Sequence, residues 1–216
     1  MSNIMGTEVQ IPSYIWKETI EFKYKKELCD KIILDYVNYS KSNKFKFKFN
    51  KKKTSCFMKQ FYDEDIPVFC DEDKIFVDEL SSLIKKAFYN YLKYYHIDDS
   101  FFISKMWYSL YENGMETLSH YHTADFSGIY YLKFDKETHN KTFFENRNFV
   151  KQPKKEIIFE PYLDENDLLF FPSGYMHGSK KHISNNYRII IAFDIFCDNF
   201  SSLTDNLQKK SSLSYN

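Results

Sequence analysis

The strongest constraint on the fold is a change in hydrophobic spacing near residue 101. Before this point apolar residues recur every three or four positions, which is typical of helices with one buried face. After it, short runs are either wholly apolar or alternate apolar and polar residues, and turn residues separate them. Side chains at i and i+2 of a strand lie on the same face, so this second pattern indicates β-strands. The chain is therefore expected to be helical in its first half and strand-rich in its second.

Six runs in the second half have strand character: FFISKMWYSLYENG (101–114), FSGIYYLKF (126–134), KTFFEN (141–146), EIIFEP (156–161), DLLFFPSG (167–174) and YRIIIAFDIF (187–196). Strands at this spacing predict a sandwich or barrel. In the first half, residues 12–22 predict a strand, whereas 23–42 and 71–100 predict helices that pack on the β core. The predicted fold class is an all-β core with flanking helices, preceded by a helical N-terminal part.

Length and composition set the wider expectations. A chain of 216 residues fits one domain over 1–200, with the first strand and the helices in 1–100, the β core in 101–200, and a polar tail over 201–216. Lys+Arg and Asp+Glu both number 30, so charge gives no signal for nucleic acid or an anionic membrane. Four scattered cysteines without a C-x-x-C pair, and no apolar run long enough for a membrane span, predict a cytoplasmic protein with reduced thiols.

Two histidines stand one residue apart in LSHYHTADFSGIYYL (118–132). On a strand, His120 and His122 would share a face and Tyr121 would point away. Such a pair alone fits a metal site and an ordinary polar strand face equally well. His177 follows the apolar run DLLFFPSG and supplies a third candidate from a distant strand. Three ligands on one side of a redox metal leave positions open for a cosubstrate and O₂.

The remaining histidines are expected at the surface: His96 at a helix end, His139 in a turn and His182 in a loop. Arg188 begins an otherwise apolar strand. If its side chain points inward it needs a negative partner, because an unpaired buried charge is costly. Either a structural salt bridge or a bound anion meets that need.

The combined motifs W-Y-S-L-Y-E-N-G-(x)5-H-Y-H-(x)4-S-G-I-Y-Y-L, D-L-L-F-F-P-S-G-Y-M-H and R-I-I-I-A-F-D resemble the 2-oxoglutarate/Fe(II)-dependent oxygenase superfamily. More narrowly, they are similar to small oxygenases with an HxH…SGVYYL…FPS…H…R signature. The likeness covers roughly residues 101–197. It implies a double-stranded β-helix, also called a jelly roll and shared with cupins. It also implies Fe(II), 2-oxoglutarate as cosubstrate and O₂.

The same resemblance implies roles for individual residues. His120 and His177 become iron ligands, and Arg188 pairs with the distal carboxylate of 2-oxoglutarate. Most of the superfamily has a carboxylate at the position of His122, so the third ligand is either His122 or Asp125 in the following turn. His122 is favoured because its spacing puts it on the face of His120. Asp125 has an alternative role as a turn residue or as an acceptor that fixes a histidine tautomer.

One hydroxyl that relatives place near the cosubstrate is missing, because Ile190 stands where they have serine. Tyr130 or Tyr131 is an alternative source of that hydroxyl. Successive strand residues alternate between faces, so only one of the two tyrosines can point into the barrel.

Trp107, Tyr108 and Arg147 are candidate substrate-pocket residues, although core packing also explains the two aromatic rings and surface exposure explains the arginine. The implied reaction hydroxylates a C–H bond of a small molecule or a protein side chain, with release of succinate and CO₂. Two alternatives stay open. A cupin-like metal enzyme would keep the histidines without using 2-oxoglutarate, and a non-catalytic jelly-roll binding protein would use the histidines only for packing.

Overall fold

The structure is a computed structural model that describes residues 14–41, 56–63, 73–146 and 157–199. Its elements in chain order are β1 (Trp16–Thr19), α1 (Lys25–Lys41), β2 (Phe57–Asp63), α2 (Lys74–Tyr94), β3 (Phe101–Tyr111), β4 (Thr117–His120), β5 (Phe126–Lys133), β6 (Thr142–Asn146), β7 (Ile157–Phe159), β8 (Asp167–Pro172), β9 (Met176–Ser179) and β10 (Arg188–Cys197). Both predicted helices and all six predicted strands of the second half are present. The sequence pattern does not predict β2 or β9; β9 has the sequence MHGS, in which one apolar side chain forms no apolar run.

Two antiparallel sheets form the β core. The larger has the strand order β1-β8-β5-β10-β3-β2, and the smaller has the order β4-β9-β6-β7. Buried side chains between the two sheets include Tyr111, Tyr131, Phe144 and Phe171. We call the side of the larger sheet that carries Tyr111, Tyr131 and Phe171 its inner face. The opposite side, which carries Tyr108, Tyr130 and Phe170, is its outer face.

The helices pack against the outer face. In α2, buried residues recur three or four positions apart, as in Leu80, Ile84 and Phe88, so one side of the helix is apolar along its length. The ring of Phe88 lies 5.2 Å from those of Phe126 and Phe170, measured between centroids. Burying one such side chain contributes about 1.5–3 kcal/mol, so these contacts fix the helix on the sheet.

The expectation that three histidines lie at the surface is correct for His96 and wrong for His139 and His182. His96 is exposed just beyond the end of α2. His139 is 6% exposed and His182 is 1% exposed, and their rings meet edge to face with centroids 4.9 Å apart. The loop of His182 is held by backbone hydrogen bonds to the turn that follows β3. Because such contacts join distant segments, local sequence polarity does not reveal them.

Neither described helix has the length and apolar character needed to cross a membrane. Cys29, Cys56 and Cys197 form no disulfide in the described part of the chain. Cys70, Arg147 and the tail 201–216 lie outside the described residues.

Candidate active site

Three histidines converge at the edge of the smaller sheet. Strands β4 and β9 pair antiparallel with His120 directly opposite His177, and the two ring centroids are 4.5 Å apart. His122 lies two residues beyond β4, and its ring centroid is 5.1 Å from each of the others. One potential ligand nitrogen from each ring lies within 4.8 Å of the other two. Tyr121, between the pair, is 63% exposed, so the alternation continues past the end of the strand.

The hydrogen bonds of the rings set their tautomers. Nδ1 of His120 and Nδ1 of His177 each bond to the backbone carbonyl two residues earlier, at 2.9 and 2.8 Å. Nδ1 of His122 bonds to Oδ1 of Asp194 at 2.7 Å. Carbonyl and carboxylate oxygens only accept, so each Nδ1 carries the proton and Nε2 keeps the lone pair that a metal needs.

Electrostatics also favours a neutral imidazole at His177. Burial, and then the neighbouring His120, lower the pKa of His177 to about 3. His177 is therefore neutral at pH 7, which is the protonation state that binds a metal ion.

The alternative ligand Asp125 does not join this cluster. Its Oδ2 accepts the backbone N–H of Cys197 at 2.8 Å. Within the described part of the chain, the three histidines form the group that could hold a metal, with no carboxylate among them. The carboxylate that contacts a histidine is Asp194, which the sequence reasoning did not identify. Asp194 and Arg188 are six residues apart, so they lie on one face of β10. This even spacing is the feature of the sequence that could have pointed to Asp194.

A cavity extends from the histidines into the space between the sheets, and it occupies about 470 Å³ with its open mouth included. Arg188, Thr142, Ser179 and Tyr111 line it together with the three histidines. The strand alternation explains why β10 contributes Arg188, Ile190 and Ala192 to the lining. The candidate metal ligands and the candidate anion partner therefore share one space.

Arg188 is fully buried, and none of the residues that the structure describes is its counter-ion. Its guanidinium donates to the hydroxyls of Ser179 and of Thr142, the latter at 3.4 Å, and lies 4.7 Å from the ring centroid of Tyr111. No carboxylate of the described residues forms an ion pair with it, and its Nε is buried without a hydrogen-bond partner. The salt-bridge explanation is therefore not supported among these residues, and a buried cation of this kind favours an anionic ligand.

The adjacent tyrosines lie on opposite faces of the larger sheet. Tyr131 is on the inner face, where its hydroxyl donates to Oγ1 of Thr142 at 2.6 Å. Tyr130 is on the outer face, and its hydroxyl donates to Oδ1 of Asn166 at 3.2 Å. Of the two candidates, Tyr131 is thus the one whose hydroxyl belongs to the network of Arg188.

The candidate pocket residues on β3 separate in the same way. Trp107 lines the cavity, with its ring 5.5 Å from that of His122 between centroids. Tyr108 does not line the cavity, because its side chain lies on the outer face and its hydroxyl donates to Oδ2 of Asp35 at 2.7 Å. Only Trp107 is therefore placed to touch a ligand.

Comparison with protein families gives one match, to the family described as "Putative 2OG-Fe(II) oxygenase", over residues 105–194. That range contains all three histidines and Arg188. No curated protein matches the sequence.

Solved structures share the fold at low sequence identity. The prolyl hydroxylase from Trichoplax adhaerens, solved with a peptide fragment of hypoxia inducible factor, superposes with a TM-score of 0.56 and 15% identity over 88% of this chain and 86% of its own. The viral collagen prolyl hydroxylase of Paramecium Bursaria Chlorella virus-1, solved with 2OG, gives 0.51 and 14% over 85% and 96%. AviO1 from Streptomyces viridochromogenes gives 0.53 and 8% over 83% and 89%. The core is thus the double-stranded β-helix, as the resemblance implied.

Proposed function

We propose that this chain is a 2-oxoglutarate- and Fe(II)-dependent oxygenase, which the family match over residues 105–194 supports, and that it hydroxylates a C–H bond at the site formed by His120, His122 and His177. The cofactors of the superfamily are Fe(II), 2-oxoglutarate and O₂. In the balanced reaction, one atom of O₂ enters the hydroxyl group of the product. The other enters the succinate that remains when 2-oxoglutarate loses CO₂.

One observation carries the proposal: three imidazoles and a buried arginine, which has no ion-pair partner among the described residues, line the same cavity. The imidazoles fit a divalent metal because each Nδ1–H already donates a hydrogen bond to an oxygen. The lone pair on each Nε2 is left to bind the metal. Arg188 fits a dianionic cosubstrate because it lacks the counter-ion that its burial calls for.

Each of these side chains has a task that follows from its position. Arg188 would hold the distal carboxylate of 2-oxoglutarate through a charge-assisted pair. Ser179, Thr142 and Tyr131 supply hydroxyls beside the guanidinium, in place of the serine that Ile190 replaces. Iron bound by the histidines would supply the activation of O₂ and the oxidation of the substrate C–H bond.

The charge of the cavity lining limits the kind of substrate that fits. Apart from the histidines, Arg188 is the one charged residue among the described residues that line it, whereas Met58, Trp107 and Ala192 are uncharged. If Arg188 is occupied by the cosubstrate, the reacting part of the substrate is uncharged. A small molecule and a protein side chain both meet that condition.

The decisive test is anaerobic addition of Fe(II) and 2-oxoglutarate, followed by visible spectroscopy. We expect a weak charge-transfer band in the wild-type protein. In Arg188→Ala the band should be lost while Fe(II) binding persists, because the substitution removes the anion partner and leaves the histidines intact. Loss of such a partner costs about 2–5 kcal/mol, which is at least a roughly 30-fold weaker affinity for 2-oxoglutarate. Iron binding without any band in the wild type would instead favour the cupin-like metal enzyme.

The third ligand is tested by a pair of substitutions measured with the same metal. His122→Ala should weaken Fe(II) binding strongly, whereas Asp125→Asn should leave the affinity unchanged, because Asp125 bonds to the backbone of β10 instead. The opposite order of effects would assign the ligand to Asp125.

A further inference from the structure

The hydrogen-bond partner of His122 differs in kind from those of the other two histidines. His120 and His177 donate to backbone carbonyls, which are neutral. His122 donates to the carboxylate of Asp194, at 2.7 Å between Nδ1 and Oδ1. The side chains of His122 and Asp194 are only 13% and 16% exposed, so solvent screens this contact little.

Asp194 is itself held in place by a buried network. Its Oδ1 also accepts the hydroxyl of Ser127 at 2.8 Å, and that hydroxyl is 2.7 Å from the hydroxyl of Ser173. Ser127 is the residue opposite Asp194 where β5 and β10 pair. The backbone N–H of His122 donates to the carbonyl of Ser173 at 2.9 Å. The histidine and its carboxylate are therefore fixed to the same framework.

The backbone also changes at this residue. The pairing of β10 with β3 shifts register between Asp194 and Ile195, which is a β-bulge. Bulges alter the direction of a side chain and occur near active sites. The ring of Trp107 lies beside that of His122, at 5.5 Å between centroids. Hydrogen bond and ring contact together hold the orientation of the imidazole.

The negative charge of Asp194 affects the metal that the histidines would bind. Three neutral imidazoles add no charge to a divalent metal, whereas a carboxylate ligand would add one negative charge. Here that charge lies one hydrogen bond further out, on Asp194. A carboxylate that accepts the Nδ1 proton of a ligand histidine increases the basicity of the imidazole and fixes its tautomer.

We propose that Asp194 is a positioning residue for the metal centre, which orients His122 and supplies from outside the ligand set the negative charge that the three histidines lack. This inference rests on the proposed function. Among the residues that contact the three histidines, it assigns to Asp194 the largest effect on metal affinity.

The test uses Co(II), which binds sites of this kind and reports through its visible absorption. The wild-type protein is titrated beside Asp194→Asn, which keeps an oxygen acceptor but removes the charge, and Asp194→Ala, which removes both. Loss of such a partner typically weakens metal binding about 10–100-fold. We expect about tenfold for the asparagine variant and about 100-fold for alanine. Asp35→Asn is the matched control, since Asp35 accepts the Tyr108 hydroxyl at 2.7 Å away from the cavity, and its affinity should stay within about twofold of wild type.

A second measurement separates positioning from support of the fold. With Fe(II) and 2-oxoglutarate, the charge-transfer band of Asp194→Asn should move to higher energy, because a weaker imidazole donor leaves the metal harder to oxidise. Wild-type affinity and an unmoved band in Asp194→Asn would overturn the inference and leave the proposed function intact. A lower affinity accompanied by an unmoved band and a lower thermal midpoint of the metal-free protein would assign Asp194 a structural role only, which also overturns it. If the wild type binds no Co(II), the proposed function fails and this inference fails with it.

Discussion

The two faces of the larger sheet contain adjacent residues of the same strands, yet they meet different physical conditions. On the outer face, the hydroxyls of Tyr108 and Tyr130 donate to Asp35 and Asn166 beside the aromatic core. On the inner face, Arg188 is buried, and its partners among the described residues are neutral. The outer face packs against the two helices, whereas the inner face buries a cation for which the described residues supply no counter-ion. Burial alone does not distinguish the two, and the difference lies in which polar groups are satisfied.

This comparison extends along β10. Its even-numbered residues from Arg188 to Ala192 line the cavity, and Asp194 reaches His122 from the same face. Ile189, Ile191 and Phe193 are buried in the core on the outer face. One strand therefore carries a candidate anion partner near its start and a histidine partner further along.

The largest expected effect is loss of metal binding in His177→Ala. The substitution removes one of three ligands, so affinity for Co(II) should fall by more than the roughly 100-fold upper range seen for residues that only support a ligand. A titration followed by visible absorption measures it. His96→Ala, which changes an exposed histidine at the end of α2, is the control and should titrate as wild type. Equal affinity of both variants for Co(II) would show that His177 is not a metal ligand.

Phe88→Ala should lower the free energy of unfolding by weakening the packing on the outer face, without altering the metal site on the inner side. Phe88 is fully buried and packs on rings from the larger sheet, and such truncations cost about 3–5 kcal/mol. Urea unfolding of the metal-free protein measures the change in free energy. Tyr89→Ala, at a neighbouring position that is 60% exposed, should change stability by less than about 0.5 kcal/mol. Where Phe88→Ala remains folded, its affinity for Fe(II) should equal that of wild type.

Tyr131→Phe and Tyr130→Phe each remove one hydroxyl, the first from the inner face and the second from the outer face. Removing the Tyr131 hydroxyl takes one hydrogen bond from the group around Arg188. Affinity for 2-oxoglutarate should then fall about fivefold, which corresponds to about 1 kcal/mol. Removing the Tyr130 hydroxyl should reduce unfolding free energy by about 1 kcal/mol and leave that affinity unchanged. If both variants affect 2-oxoglutarate equally, the two faces are not independent.

The smallest effect concerns acid stability. Burial, followed by the nearby His182 and Arg188, lowers the pKa of His139 to about 4, against the opposing influence of Asp135. The unfolded chain protonates this histidine near its usual pKa of about 6.5. Its contribution to stability is therefore full above about pH 6.5 and is lost as the pH falls towards about 4.

The matched variant is His139→Asn, whose amide oxygen can still accept the N–H of Asp135 and cannot be protonated. Urea unfolding at pH 8 and pH 6 should show a smaller loss of stability in the variant, by less than about 1 kcal/mol. Identical losses in the two proteins would show that His139 does not titrate in the unfolding transition.

Much of the fold follows from local pattern. Hydrophobic period alone predicted both helices and six strands, because burial of one helix side or one strand face leaves a period in the sequence. The three histidines could also be identified from the sequence, since a resemblance over residues 101–197 pointed to them. β9 was missed because its sequence, MHGS, contains a single apolar side chain and so shows no apolar run. His139 and His182 were placed at the surface because loop residues give no local sign of the segments that cover them.

The sequence by itself determined the alternation that sends Tyr130 and Tyr131, or Trp107 and Tyr108, to opposite faces, since that follows from the two-residue repeat of any strand. It did not determine which residue of each pair faces the cavity. Tertiary structure decided this, because the helices cover one face of the larger sheet and the smaller sheet covers the other. Tertiary structure also brought Asp194 to His122 across 72 residues of chain. A hydrogen bond between such distant residues depends on strand register and a bulge, and neither is encoded in a local window of sequence.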